Sequence, residues 1–113
     1  TPSPPPMVQL IPDRQDDLGP DRPDYFIHAG KVLVGRIYKT QQANWAWFWG
    51  LNGVITDNRS GIVMHGQAPT LEVARRLLRE TFDKWVLWAQ SILPEDLKYP
   101  VARDQLRRIG MPL

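Results

Sequence analysis

Histidine is the side chain best suited to proton transfer near neutral pH, and the chain holds two, His28 and His65. A general base or a metal site needs a second group close by, such as a matched carboxylate or another ligand. Neither histidine has such a group at the spacing of a helical turn or of alternate strand residues. Ser60 and Ser91 likewise have no evident base. The sequence therefore predicts no catalytic residue and no metal site.

Motifs for other chemistries are missing from the sequence. The chain has no cysteine, which excludes a thiolate nucleophile, a disulfide and a cysteine-ligated zinc ion. It has no phosphate-binding loop, no dinucleotide fingerprint and no nucleophile elbow. The loop around Asp57 and Asn58 holds too few carboxylates for calcium. We therefore expect a protein that is not an enzyme and that uses no cofactor.

Basic and aromatic residues in the middle of the chain are the candidates for binding. Residues 25–93 carry a net charge of +4, whereas residues 1–24 carry −3. This excess permits nucleic-acid binding but does not require it. An ideal strand places Arg36 and Lys39 on opposite faces, which weakens the case for a single basic patch. The candidate binding residues are Arg36, Lys39, Trp45, Arg59 and His65.

Three of the five tryptophans alternate along one segment, so a strand places Trp45, Trp47 and Trp49 on the same face. Such a face is either a stacking platform for nucleobases or part of the core. Burial of one tryptophan removes ~150–250 Å² from water, worth ~4–6 kcal/mol gross at ~25 cal/mol/Å². A small domain would lose most of its stability if all three tryptophans were exposed to water. We therefore expect core packing, with Trp47 at its centre and Trp45 the most exposed.

Three strands and two helices are expected to position these residues. Segments 31–39, 44–51 and 62–67 have the alternation and composition of strands, and Gly35 suggests a bulge or a close backbone approach in the first. Thr70 is a good N-cap for a helix whose apolar stripe continues to Ile92. The resulting fold class is α+β, with a three-stranded antiparallel sheet packed on one long helix. A short C-terminal helix is expected from Pro100 to Ile109, with Gly110 just past its end.

The N-terminal segment differs from the rest in composition. Residues 1–24 hold seven of the eleven prolines and five aspartates, which favours polyproline II or disorder. The expected organisation is a mobile acidic tail over 1–24, a β-β-β-α domain over 25–93 and a C-terminal extension over 94–113. One apolar island interrupts the tail and could dock on the domain or on a partner. It is the candidate docking segment for a partner, through Met7, Val8, Leu10 and Ile11.

Several motifs carry a family resemblance. The runs GRIY at 35–38, WAWFW at 45–49 and HGQAPTLEVARRLL at 65–78, with DKW at 83–85, resemble a family of small uncharacterised proteins from rhizobia and related alphaproteobacteria. In that family a tryptophan-rich strand precedes a G-x-A-x-T-x-x-x-A motif and a helix that ends with tryptophan. The resemblance covers roughly half of the chain. It implies a fold and a bacterial cytoplasmic origin, and it implies no activity.

The function expected from these observations is a non-enzymatic binding or regulatory module that engages a protein partner. The acidic, proline-rich segment with its apolar island suits folding on a partner surface. The alternative is a nucleic-acid-binding domain that uses a basic sheet. The lack of cysteine favours the cytoplasm, and no apolar run is long enough for a signal peptide or a membrane span. The oligomeric state stays open.

Overall fold

The computed structural model describes residues 9–14, 24–39, 46–56 and 60–110. Within them, five antiparallel strands form one sheet in which each strand pairs with its neighbours in the sequence. Two helices follow the last strand. The elements are β1 (Leu10–Arg14), β2 (Asp24–Ala29), β3 (Val32–Lys39), β4 (Trp47–Gly50), β5 (His65–Ala68), α1 (Leu71–Ser91) and α2 (Tyr99–Ile109).

The fold class is α+β as expected, but the prediction of three strands was wrong because the sheet has five. β1 lies within the segment that composition assigned to the tail, and it pairs with β2 from Leu10 opposite Ala29 to Arg14 opposite Tyr25. Its proline, Pro12, has low strand propensity, yet proline is tolerated in an edge strand. Pairing with β2 outweighs the local preference of this segment.

The other elements lie close to the predicted positions. β3, β4 and β5 overlap the three predicted strands, although β4 is shorter than expected, and β5 begins three residues later and ends one residue later than expected. The long helix is confirmed, and the Thr70 hydroxyl accepts a hydrogen bond from the Val73 N–H at 3.2 Å. The short C-terminal helix is confirmed as well. Gly110 ends it in the left-handed conformation, with φ of 93°.

The bulge expected at Gly35 is present in β3. Ile27 lies opposite Gly35 and His28 lies opposite Leu33, so Val34 is the extra residue. A Cβ atom on Gly35 would lie 2.5 Å from the carbonyl oxygen of Gly50. Glycine is therefore required here for the close approach of β4, which matches the general role of glycine within strands.

The core lies between one face of the sheet and α1, and α2 closes one end of it. Trp49 is buried at 7% exposure, whereas Trp47 is only half-buried at the end of the sheet, where its ring lies 6.4 Å from that of Tyr25. Trp49 therefore takes the central position expected for Trp47. The largest fully buried side chains are Val34, Ile37, Leu51, Leu78, Phe82, Trp85 and Leu106.

Both helices form hydrogen bonds with the segment that follows β4. The Trp85 indole N–H of α1 donates to the Ile55 carbonyl at 2.7 Å. Gln105 of α2 accepts from the Ile55 N–H at 2.8 Å and donates to the Gly53 carbonyl at 3.4 Å. The Gly53 N–H donates in turn to the Val34 carbonyl at the bulge, at 2.9 Å. α2 is therefore part of the same packed unit as the sheet.

Neither α1 nor α2 is long and apolar enough to cross a membrane, and the same holds throughout the described segments.

Candidate functional site

The face of the sheet that lies opposite the helices carries a polar and aromatic surface, which we call the open face. Successive side chains of a strand point to opposite faces of the sheet, whereas paired residues on neighbouring strands point to the same face. The residues paired with Arg36 and Tyr38 therefore share their face. These side chains are exposed or half-buried, except for the buried Asp24. The open face consists of Ile11, Asp13, Asp24, Phe26, His28, Leu33, Arg36, Tyr38, Phe48, Gly50, His65 and Gln67.

A two-pronged ion pair fixes the position of Arg36 on this face. Its Nε donates to one carboxylate oxygen of Asp24 at 2.9 Å and a terminal nitrogen donates to the other at 2.5 Å. The Asp24 side chain is 5% exposed and that of Arg36 is 41% exposed. The hydrogen bond that Arg36 donates to Asp24 raises the pKa of Arg36, against the opposing effect of desolvation. The guanidinium is thus held in one orientation, and its charge is balanced locally.

Aromatic rings continue from this ion pair across the sheet. The Arg36 guanidinium lies 4.4 Å from the centre of the Tyr38 ring. Tyr38 stacks on Phe48 of the next strand, with ring centres 5.5 Å apart and planes inclined by 15°. A shallow cleft of about 290 Å³ beside these rings is also lined by Asn52 and His65. The arrangement offers flat π surfaces next to an oriented donor group, a combination suited to binding.

The structure brings together two of the five predicted binding residues. Arg36 and His65 line the same cleft on the open face. Lys39 lies on the opposite face, where its Nζ is 5.6 Å from the centre of the Trp47 ring, and the single basic patch is therefore not formed by Arg36 and Lys39. Trp45 and Arg59 lie outside the described residues.

The predicted docking segment is divided between the two faces of β1. Leu10 is half-buried against the core, and Ile11 is 52% exposed on the open face. Met7 and Val8 lie outside the described residues. Because β1 pairs with β2, Leu10 and Ile11 are part of the sheet in this structure.

Sequence reasoning missed three aromatic residues of the open face: Phe26, Tyr38 and Phe48. One signal for Phe48 was available in the sequence. Phe48 alternates with Trp47 and Trp49, so a strand places it on the face opposite the tryptophans. Phe26 and Asp24 were missed because β2 was not recognised as a strand. The long-range pairing of Asp24 with Arg36, twelve residues apart, has no local pattern that a sequence could display.

In the described part of the chain, no group of three histidine, cysteine, aspartate or glutamate side chains could hold a metal ion. Comparison of the chain with models of known protein families, with curated proteins and with solved structures finds no match in any of the three.

Proposed function

We propose that this protein is a non-enzymatic binding module and that its open face docks on a protein partner. The observation that carries the proposal is the layer of Arg36, Tyr38 and Phe48, in which a fixed guanidinium lies over the Tyr38 ring and Tyr38 in turn stacks on Phe48. Tyrosine and arginine are among the residues that contribute most to binding energy at protein interfaces. A layer that is already ordered loses little conformational entropy when a partner binds.

The remaining composition of the open face supports the same proposal. Protein interfaces are enriched in aromatic residues, methionine and arginine, and depleted of lysine, glutamate and aspartate. The open face holds two aspartates, Asp13 and Asp24, and the second is paired with Arg36. The open face has no lysine and no glutamate among the residues that the structure describes. Its two apolar side chains at one end, Ile11 and Leu33, are 52% and 43% exposed. The surface therefore resembles the centre of an interface more than an ordinary solvated sheet.

The alternative, a nucleic-acid-binding sheet, receives less support from the charges. Phosphate binding depends on an excess of positive charge that releases counterions. On the open face the charge of Arg36 is balanced by Asp24, and Asp13 adds a negative charge. Proteins that bind single-stranded nucleic acid combine stacking aromatic side chains with a positively charged groove for the backbone. The open face has the aromatic side chains but not the excess of positive charge. We therefore rank a protein partner above a nucleic acid.

The test of this proposal is partner capture from an extract of the source organism, followed by direct measurement of the affinity with the purified partner. We expect Tyr38→Ala to weaken binding by roughly 30-fold or more, because truncation of a central interface residue costs about 2 kcal/mol or more. Leu97→Ala is the matched control, since Leu97 is 95% exposed in the connection between the helices. Equal affinities of the two variants would contradict the assignment of the open face.

Nucleic-acid binding is expected to be weak and strongly dependent on salt. We expect dissociation constants of roughly 10⁻⁶ to 10⁻⁴ M, the range of non-specific binding, without preference between sequences. Fluorescence anisotropy with single- and double-stranded oligonucleotides at two salt concentrations measures this. Nanomolar binding that persists at physiological salt and disappears in Tyr38→Ala would reverse the ranking of the two functions.

A further inference from the structure

The two edges of the sheet differ in how they are protected against pairing. β1 forms one edge and contains Pro12, Asp13 and Arg14, and proline and charged residues are the features that keep edge strands from pairing. β5 forms the other edge, and its sequence, His65-Gly66-Gln67-Ala68, contains no proline and no aspartate, glutamate, lysine or arginine. In the described residues β5 pairs with β4 alone. The edge at β5 is therefore the one that remains able to accept another strand.

The backbone direction along β5 identifies the groups available for pairing. The Leu51 N–H donates to the Met64 carbonyl at 2.7 Å, in register with the pairing of β4 and β5. Hydrogen-bonded and non-hydrogen-bonded positions alternate in an antiparallel pair. Gly66 and Ala68 thus turn their backbone groups toward β4. His65 and Gln67 turn their N–H and C=O groups toward the free side of the edge.

A groove runs alongside this edge on the helix side of the sheet. It encloses about 480 Å³ between residues 60–63 and one flank of α1, and Trp49 also lines it. Two large apolar side chains at the groove, Val63 and Leu87, are 71% and 68% exposed. An unprotected strand edge and exposed apolar side chains thus occur together on the same side of the molecule.

We propose that the occupant of this edge is a second copy of the chain, so that β5 pairs antiparallel with β5 of the partner subunit around a two-fold axis beside Gly66. His65 then lies opposite Gln67 of the partner subunit, and each such pair exchanges both of its backbone hydrogen bonds. The two sheets become one continuous sheet, and closure by two-fold symmetry leaves only the protected β1 edges.

Charge complementarity on α1 selects a second copy as the occupant. Glu80 and Lys84 are exposed and both line the groove, and neither forms an ion pair with another described residue. A two-fold axis runs the two α1 helices antiparallel, which places Glu80 of one subunit near Lys84 of the partner subunit. Leu77 lies as far before Glu80 in the sequence as Leu87 lies after Lys84. The same axis therefore places Leu77 of one subunit opposite Leu87 of the partner subunit. One surface is thus complementary to itself.

This dimer goes beyond the proposed function, because it forms through the backbone of the β5 edge and one flank of α1, whereas the proposed function rests on the Arg36, Tyr38 and Phe48 side chains of the open face. Its first test is a charge exchange measured by size-exclusion chromatography with light scattering, across a wide range of protein concentrations. We expect Glu80→Lys and Lys84→Glu each to raise the dissociation constant of the dimer about tenfold above that of the wild type, because each variant places two like-charge contacts across the axis. An equimolar mixture of the two variants should recover the dimer, since their charges are again opposite.

A second pair of variants tests the strand pairing itself. Gln67→Pro removes an N–H that points away from β4, so the monomer keeps its own sheet while the dimer loses its hydrogen bonds. Gln67→Ala keeps this N–H and is the matched control, expected to dimerise like wild type. Thermal melting of both variants reports on folding. A wild-type chain that stays monomeric at its highest soluble concentration overturns the proposal, as does a folded Gln67→Pro variant that still dimerises.

The dimer and the open face can be judged separately. Tyr38→Ala is expected to leave the dimer unchanged, because Tyr38 lies two strands away from β5. Weakened dimerisation in the Glu80→Lys variant with unchanged partner affinity would support both proposals as independent, because Glu80 lies on α1 and not on the open face. Loss of dimerisation in Tyr38→Ala would contradict the placement of the interface at the β5 edge.

Discussion

Replacement of Trp85 by alanine is expected to lower the free energy of unfolding by ~3–5 kcal/mol, the cost of truncating a large buried aromatic side chain. Trp85 is fully buried in α1, and its ring lies 6.0 Å from that of Phe82. Its N–H is also the donor to the Ile55 carbonyl at 2.7 Å, so the truncation removes packing and a hydrogen bond together. For a domain near the lower end of the ~5–15 kcal/mol range of folded proteins, this loss removes most of the stability.

Urea denaturation followed by circular dichroism measures this loss, and two further variants separate its causes. Trp85→Phe keeps most of the apolar volume but leaves the Ile55 carbonyl without its donor, so we expect a cost of about 1–3 kcal/mol. Trp88→Ala is the matched control one turn of helix apart, because Trp88 is only half-buried. An unfolding energy for Trp85→Ala equal to that for Trp88→Ala would show that Trp85 is not central to the core.

The second large effect is expected at Gly53, where replacement by alanine should destabilise the protein severely. A Cβ atom at this position would lie 2.0 Å from the carbonyl oxygen of Leu33 and 2.9 Å from the Cα of Val34. Both contacts are with backbone, which cannot rotate away as a side chain does. The connection after β4 must therefore move off the bulge, with loss of the hydrogen bond from the Gly53 N–H to Val34. We expect a loss of at least ~3 kcal/mol, as for the severe core lesions.

Gly50→Ala provides the control for this prediction. The nearest atom to a Cβ at Gly50 is the Cβ of His65 at 3.7 Å, an ordinary van der Waals distance. Gly50 also has no positive φ, so alanine is compatible with its backbone. The two variants add the same methyl group three residues apart, and only Gly53→Ala should shift the denaturation midpoint strongly. Similar midpoints for both would mean that the backbone at residue 53 can relax at little cost.

The helices could be predicted from the sequence because their signals are local. Thr70 and Gly110 mark helix ends through interactions that span a few residues, and the apolar stripe of α1 repeats within each turn. The first two strands could not be predicted in the same way. Pro12 and Asp13 are poor strand formers, and what makes β1 a strand is its pairing with β2, up to nineteen residues further along the chain. Strand propensity depends on such neighbours more than helix propensity does.

The candidate site could be predicted only in part, because some of its residues also depend on long-range strand pairing. Arg36 and His65 were identified as binding residues from their type, and the alternation in β3 correctly separated Arg36 from Lys39. The partner that orients Arg36 could not be foreseen, because Asp24 belongs to a strand whose existence depends on tertiary pairing. Trp47 was expected at the centre of the core, yet β4 begins at this residue, so Trp49 is the one that lies beneath α1.

The network around the connection after β4 also has a consequence for deuterium exchange. Amides outside helices and strands usually exchange early, because small local openings expose them to solvent. Here the Gly53 and Ile55 amides donate to Val34 and Gln105, and the second of these acceptors belongs to α2. Exchange at Ile55 therefore requires the Gln105 side chain to release the Ile55 N–H, and the packing of α2 on the sheet opposes that release. We expect this amide to exchange more slowly than other amides outside helices and strands, so a single amide between two strands reports on a helix fifty residues further along the chain.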